Sequence, residues 1–185
     1  SGELVKEIFE KKCVPAEILS HFKNKLLAIR PSPVIDLSVK NEPFLYIGLD
    51  DSSYESLKKT VGIKKASQIY LSFLRMFSLT VYNLDLENCD ELRRLLENPK
   101  RPESVFEEGS PSQISRIKKL ISLETGLNFP SCISEQLIEV ISSIYKRWIS
   151  PTQKILREVS SGRSEELIPI ICLLYTSDAA DELSC

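Results

Sequence analysis

The chain has 185 residues, 42% of them hydrophobic and 27% charged, enough apolar side chain for one globular domain. Its 24 basic and 26 acidic residues give no electrostatic ground for nucleic acid or an anionic membrane. No apolar run approaches the ~18 residues that a bilayer-spanning helix needs, and Glu3, Glu7 and Glu10 break up any signal-peptide pattern, which favours the cytoplasm.

In chain order, Leu4, Val5, Ile8 and Phe9 predict a short amphipathic helix, and Ile18, Leu19 and Phe22 another after Pro15. The run Leu26–Arg30 predicts a buried strand, Val34–Val39 a second and Phe44–Leu49 a third, with Pro31, Pro33 and Pro43 placed between the runs. From Ser52 the period becomes helical. Tyr54 and Leu57 mark a helix ending near Gly62, with its N-cap in Asp50-Asp51-Ser52-Ser53. Ile69, Tyr70, Phe73, Leu74, Phe77 and Val81 give one long helix whose aromatic stripe is core rather than a cofactor box.

Leu92, Leu95 and Leu96 give a further helix, followed by a polar, proline-containing stretch over 98–109. Ser110-Pro111 starts a helix with Ile114, Ile117, Leu120 and Ile121, stopped by Gly126. Ser134 is the predicted cap of a helix that puts Leu137, Ile138, Ile141, Ile144, Tyr145 and the lone Trp148 on one face. Ser150-Pro151 opens the next, proline costing nothing at a first helical position, and Ile155, Leu156 and Val159 form its expected buried side. After a turn at Ser160-Ser161-Gly162, Leu167–Ile171 predicts a last strand. The sum is an α+β fold, mostly helical.

Chemistry-bearing motifs are scarce. The five cysteines (Cys13, Cys89, Cys132, Cys172, Cys185) are scattered, with no C-x-x-C pair to hold a metal. His21, the sole histidine, has no cysteine or carboxylate cluster near it in sequence. Asp50-Asp51 and Glu107-Glu108 read as turns or solvated faces, and Lys58-Lys59 with Lys64-Lys65 lack the interleaved aromatics of a nucleic-acid surface. No G-x-x-x-x-G-K-[ST], G-x-S-x-G or H-E-x-x-H string occurs.

Two segments carry a family resemblance. Phe129, Pro130, Gln136 and Leu137, then Trp148 and Pro151, fall without a gap on the F-P-x-x-P-x-x-Q-L and V-F-x-S-W-x-x-P spacing of the pyruvate, phosphate dikinase family. Leu45-Tyr46-Ile47-Gly48-Leu49-Asp50-Asp51 resembles that family's L-N-L-G-L-N-D. It is followed by Glu55, Lys59 and Gly62, and by Tyr70, Phe73, Met76 and Phe77, which echo Y-x-x-F-x-x-M-[FY] with about one residue deleted. Most of residues 26 to 160 is similar to one continuous piece of that enzyme's ATP-binding region.

The resemblance implies a fragment of an ATP-grasp-like nucleotide-binding domain over residues 1–171, with a helical insertion over about 52–160. ATP with Mg2+ is then the implied cofactor. The implied partners are ATP and the phosphohistidine domain of the same full-length protein, with a possible homodimer of the intact protein. In the family, ATP phosphorylates a histidine on a swivelling domain and the phosphoryl group passes on to pyruvate, giving phosphoenolpyruvate. The only residue carried over as ATP-contacting is Arg30, because Ile29-Arg30 matches the V-R of the family's V-R-S-G-A-R strand end. The alternative for Arg30 is a strand end at the surface.

Departures from the family pattern are concentrated where phosphate would bind. Pro31-Ser32-Pro33-Val34 replaces the glycine-rich loop, Val34 stands at the second arginine, and no glycine occurs between Gly2 and Gly48. Proline offers no N–H donor and cannot take a positive φ. Thr152 stands where the family has an arginine, and the family's upstream G-G-K-G lysine has no counterpart. The resemblance gives this stretch neither the histidine domain nor the pyruvate site, so no turnover is expected of it alone. A degenerate, non-catalytic relative kept for binding or regulation is the alternative, and a free-standing helical module with faces around Phe73 and Trp148 a third reading. Finally, Cys172-Leu173-Leu174-Tyr175-Thr176-Ser177-Asp178-Ala179-Ala180-Asp181-Glu182 looks like the read-through of a transposase-type sequencing adapter, so residues 172–185 are expected to be a non-native tail. A genuine strand with a polar tail is the other reading of the same residues.

Overall fold

The structure, a computed structural model, describes residues 25–32, 43–97, 111–161 and 168–174. The expected helices before Lys25, the Val34–Val39 strand, the 98–109 stretch and His21 lie outside those residues.

Three strands form a small antiparallel sheet in the order β2-β1-β3: β1 is Leu27–Pro31, β2 Phe44–Ile47 and β3 Ile170–Leu174. In β1 the side chains alternate, with Leu27, Ile29 and Pro31 turned into the molecule and Arg30 out to solvent. In β2 the two buried residues are Phe44 and Ile47, three apart, which in a regular strand would face opposite sides. A bulge resolves this: Leu27 pairs with Ile47 but Ile29 with Phe44, so β2 holds one extra residue. Tyr46 takes a φ of 62° there, and both apolar side chains enter the core.

The described residues also form six α-helices: α1 Asp51–Val61, α2 Ile63–Met76, α3 Asp90–Glu97, α4 Pro111–Thr125, α5 Ile133–Trp148 and α6 Pro151–Ser161. The described residues thus make an α+β fold, mostly helical. α1 begins where the sequence predicts, with Asp50 as N-cap and Ser53 closing a reciprocal capping box. Gly62 separates α1 from α2 at φ 84°, and Gly126 ends α4 at φ 69°.

The helix expected to run unbroken to Val81 instead changes pitch. α2 stops at Met76 and Phe77–Val81 is a π-helical turn, closed by Tyr82 N–H donating to Phe77 O at 3.0 Å. Ser78 Oγ donates back to Leu74 O at 2.8 Å, the kind of bond that bends a helix. A single 3-10 turn, Leu86–Asn88, then leads into α3.

Two further expectations are corrected. The cap of α5 is Cys132, and Ser134 lies in the first turn with its hydroxyl 3.1 Å from the Cys132 sulfur. In α6 the apolar residues expected inside are outside: Ile155 is 60% and Val159 82% exposed, and Leu156 is also exposed. Over 151–159 the buried positions of α6 are Gln153 and Arg157, because Trp148 at the end of α5 takes the Arg157 side chain rather than an aliphatic one.

One cluster of buried side chains joins sheet and helices, from Leu27, Ile29, Phe44, Ile47 and Leu49 through Tyr70, Phe73, Leu74 and Phe77 to Leu92, Ile117, Val140 and Trp148. β3 begins at Ile170 rather than Leu167 and continues through Cys172, Leu173 and Leu174 in unbroken register with Ile29, Ala28 and Leu27.

Candidate functional site

Arg30 projects from the outward side of β1, the central strand, opposite Ile171 of β3, and is solvent-exposed. Beyond it the two described residues of the glycine-free segment offer no backbone donor to a phosphate. Pro31 has no N–H, and the Ser32 N–H already donates to Pro169 O at 2.9 Å. At these positions a triphosphate would meet one guanidinium and no cradle of amides. Among the described residues no group of three or more His, Cys, Asp or Glu side chains could hold a metal ion. Of the groups an ATP site would need, these positions offer the Arg30 guanidinium.

Several of the residues that carry the sequence resemblance come together elsewhere, inside the protein. Gly48 follows β2 at φ 99°, where its N–H donates to Gln136 Oε1 at 2.7 Å and a Cβ would sit 2.6 Å from Lys25 O. Gln136 Nε2 donates in turn to Leu49 O at 3.0 Å. The carboxamide of α5, fully buried, thus pairs with the backbone after β2 as an adjacent strand would. Ser53 Oγ completes the turn by donating to Gly48 O at 3.0 Å. Two motifs 88 positions apart in sequence are one junction in space.

The aromatic residues of both motifs form a second junction. Phe129 lies edge-on to Phe73, centroids 6.0 Å apart, and 5.3 Å from Phe77, while Phe73 and Phe77 are 5.1 Å apart. Tyr54 and Tyr70 extend the row, and the Tyr70 hydroxyl donates to Asp51 Oδ1 at 3.3 Å. Lys118 from α4 stands over the Tyr70 and Phe129 rings and pairs with the same Asp51 oxygen at 3.1 Å. Burial, then the Asp51 carboxylate, pushes the Tyr70 phenol well above its ordinary value.

At the α5–α6 corner the Arg157 guanidinium lies 4.1 Å over the Trp148 ring, and its Nη1 donates to Trp148 O at 2.7 Å. That interaction satisfies a carbonyl at the end of α5 and buries a cation against an indole face. Nothing in the residue spacing announced it, since α6 reads as an ordinary amphipathic helix. Lys118 was equally silent in sequence, because its partners Asp51, Tyr70 and Phe129 come from three other segments.

A shallow cleft of about 280 Å3 lies beside the π turn, lined among others by Val81, Tyr82, Glu124, Glu139 and Lys146. Burial, then Glu139 and Glu135, raises the Tyr82 phenol. Glu124 meets the Cys89 thiol, which burial first and this hydrogen bond second push up.

The architecture is thus that of a helical α+β unit in which Gly48, Gln136, Phe73, Phe77 and Phe129 form internal joints. Comparison with known proteins adds a relative. A pyruvate, phosphate dikinase of Giardia intestinalis is 24% identical over 140 residues, covering 73% of this chain and 16% of that protein. No protein-family model matches the chain. The relationship is distant, and the chain spans about one sixth of that relative's length.

Proposed function

We propose that the chain is a piece of the ATP-binding region of a pyruvate, phosphate dikinase-like phosphotransferase. The observation that supports this most is the Gly48–Gln136 junction. The two segments that each resemble the family are bonded to each other at 2.7 Å, as parts of one scaffold would be. In such a protein ATP would phosphorylate a histidine on another domain on the way to phosphoenolpyruvate. The role of this piece would be to hold nucleotide phosphates through the Arg30 guanidinium, whose planar fork suits bidentate pairing.

A second reading is favoured by a specific observation: Pro31 and the spent Ser32 N–H remove backbone donors beside Arg30. On that reading the protein is a non-catalytic relative that binds or regulates. Calorimetric titration with Mg-ATP of the chain and of Arg30→Ala separates the two. Saturable heat in the chain that weakens at least about tenfold in Arg30→Ala, a loss of roughly 1.4 kcal/mol, is the result expected of the phosphate-holding role. Absence of saturable heat in both proteins, with unchanged circular dichroism, would assign the chain to the non-catalytic reading.

A further inference from the structure

The cleft beside the π turn takes its walls from three segments. The Phe77–Val81 turn supplies Val81 and leads into Tyr82 and Leu84, and it is tied to α5 by Arg147, whose Nη2 donates to Thr80 O at 3.2 Å. The Phe77 ring packs against that of Tyr82, centroids 5.7 Å apart, and supports it. From α5 come Glu139, Ser143 and Lys146, at i, i+4 and i+7, which share one face of the helix. Leu127, just past the end of α4, adds an exposed apolar wall.

The two carboxylates at the cleft are not equivalent. Glu124 is engaged by the Cys89 thiol, whereas Glu139, after burial, raises the Tyr82 phenol, which places its carboxylate near that ring. Among the described residues the side chains of Glu139 and Lys146 make no hydrogen bond or ion pair. Helix spacing keeps these two from neutralising each other, since seven residues at a rise of ~1.5 Å set them roughly 10 Å apart along α5. The cleft therefore has an anionic end, a cationic end and apolar walls.

We propose that this cleft binds a small aliphatic zwitterion whose amino and carboxylate groups stand well apart, of the ω-amino acid class. The ligand's ammonium pairs with Glu139 and lies against the Tyr82 ring. Its carboxylate pairs with Lys146, and its methylene chain covers Val81, Leu84 and Leu127. A hydrogen bond of ~2.9 Å at each end leaves about 5–8 Å between the ligand's own charges. The charged groups of glycine stand too close together to meet both ends, and those of 6-aminohexanoate reach. A volume of about 280 Å3 holds a ligand of that size. The cleft shares no lining residue with β1, so binding there is independent of the phosphotransfer reading and survives its failure.

A shallow, solvated cleft binds weakly, with a Kd on the order of 0.1–10 mM. Nuclear magnetic resonance titration of the isotope-labelled chain with 6-aminohexanoate at low salt should give saturable amide shifts confined to residues 80–84, 124–127 and 139–147. Hexylamine, which lacks the carboxylate, and hexanoate, which lacks the ammonium, should each bind about threefold or more weakly. Glycine should give no saturable shift. Lys146→Ala should bring 6-aminohexanoate down to the affinity of hexylamine and leave hexylamine itself unchanged. Glu139→Gln should weaken both amines and leave hexanoate unchanged. The ligand series on the unaltered chain decides the matter even if a variant fails to fold. No saturable shift up to about 50 mM, shifts centred outside the cleft, or equal affinities for 6-aminohexanoate, hexylamine and glycine would overturn the proposal.

Discussion

Gln136 does for the backbone after β2 what a neighbouring strand would otherwise do, giving one donor and one acceptor to a place where the sheet has ended. Leucine would fill the same volume and satisfy neither group. Gln136→Leu should therefore cost about 2–4 kcal/mol, since the Gly48 N–H and Leu49 C=O would stay buried and unpaired. Gly48→Ala reaches the same junction from the other side. Its Cβ would meet Lys25 O at 2.6 Å from a backbone at φ 99°, and a loss of at least ~2 kcal/mol is expected. Urea midpoints of the two single variants and the double variant would check both values. Because the residues share one hydrogen bond, the double variant should lose less than the sum of the two.

At the scale of elements, α2 and the turn after it hold two phenols whose pKa values are raised, Tyr70 and Tyr82, chiefly by burial. A tyrosine held neutral in the folded state stabilises fully below its unfolded pKa of about 10, and that stability is lost as pH rises beyond it. Stability should be flat from pH 7 to 9 with respect to these groups and fall above about pH 10. Tyr70→Phe should soften the fall, as urea midpoints across that range would show. A fall just as steep in Tyr70→Phe would place the alkaline sensitivity elsewhere.

Helix starts and strand runs were legible because their signals are local. Asp50 with Ser53, Pro111, Pro151 and Gly126 each act within a turn of where they stand. The π turn was not legible, since Phe73, Leu74, Phe77 and Val81 fit an ordinary helix. What departs from that helix is the extra residue closed by the Tyr82–Phe77 bond. The buried face of α6 was misread for a related reason. Periodicity ranks Ile155 and Val159 above Arg157, and only the position of Trp148, on a different helix, reverses that order. Of the candidate site, Arg30 was found on the outward side of a central strand, but its surroundings depend on Pro169, more than a hundred residues away in the chain.

For the molecule as a whole, the expected α+β, mostly helical class is what the described residues form. The lone Trp148 is buried, 8% exposed, and the expected runs at Leu26 and Phe44 pair as β1 and β2. Gly48, Gln136 and Phe129 serve as joints between sheet and helices. Among the described residues no helix is long and apolar enough to cross a membrane.

The carboxamide bridge also sets a clock on the sheet. The Gly48 amide proton is shielded by a side chain from a helix 88 residues onward, so local fraying of β2 cannot release it to deuterated solvent. Its exchange should require the cooperative opening of the whole unit, and its protection should approach the global free energy of unfolding. Amides held only by short-range bonds, such as Asn88 to Asp85 O, should exchange orders of magnitude sooner. Nuclear magnetic resonance of a freshly dissolved sample would rank the two, and equal lifetimes would mean that the bridge breathes independently.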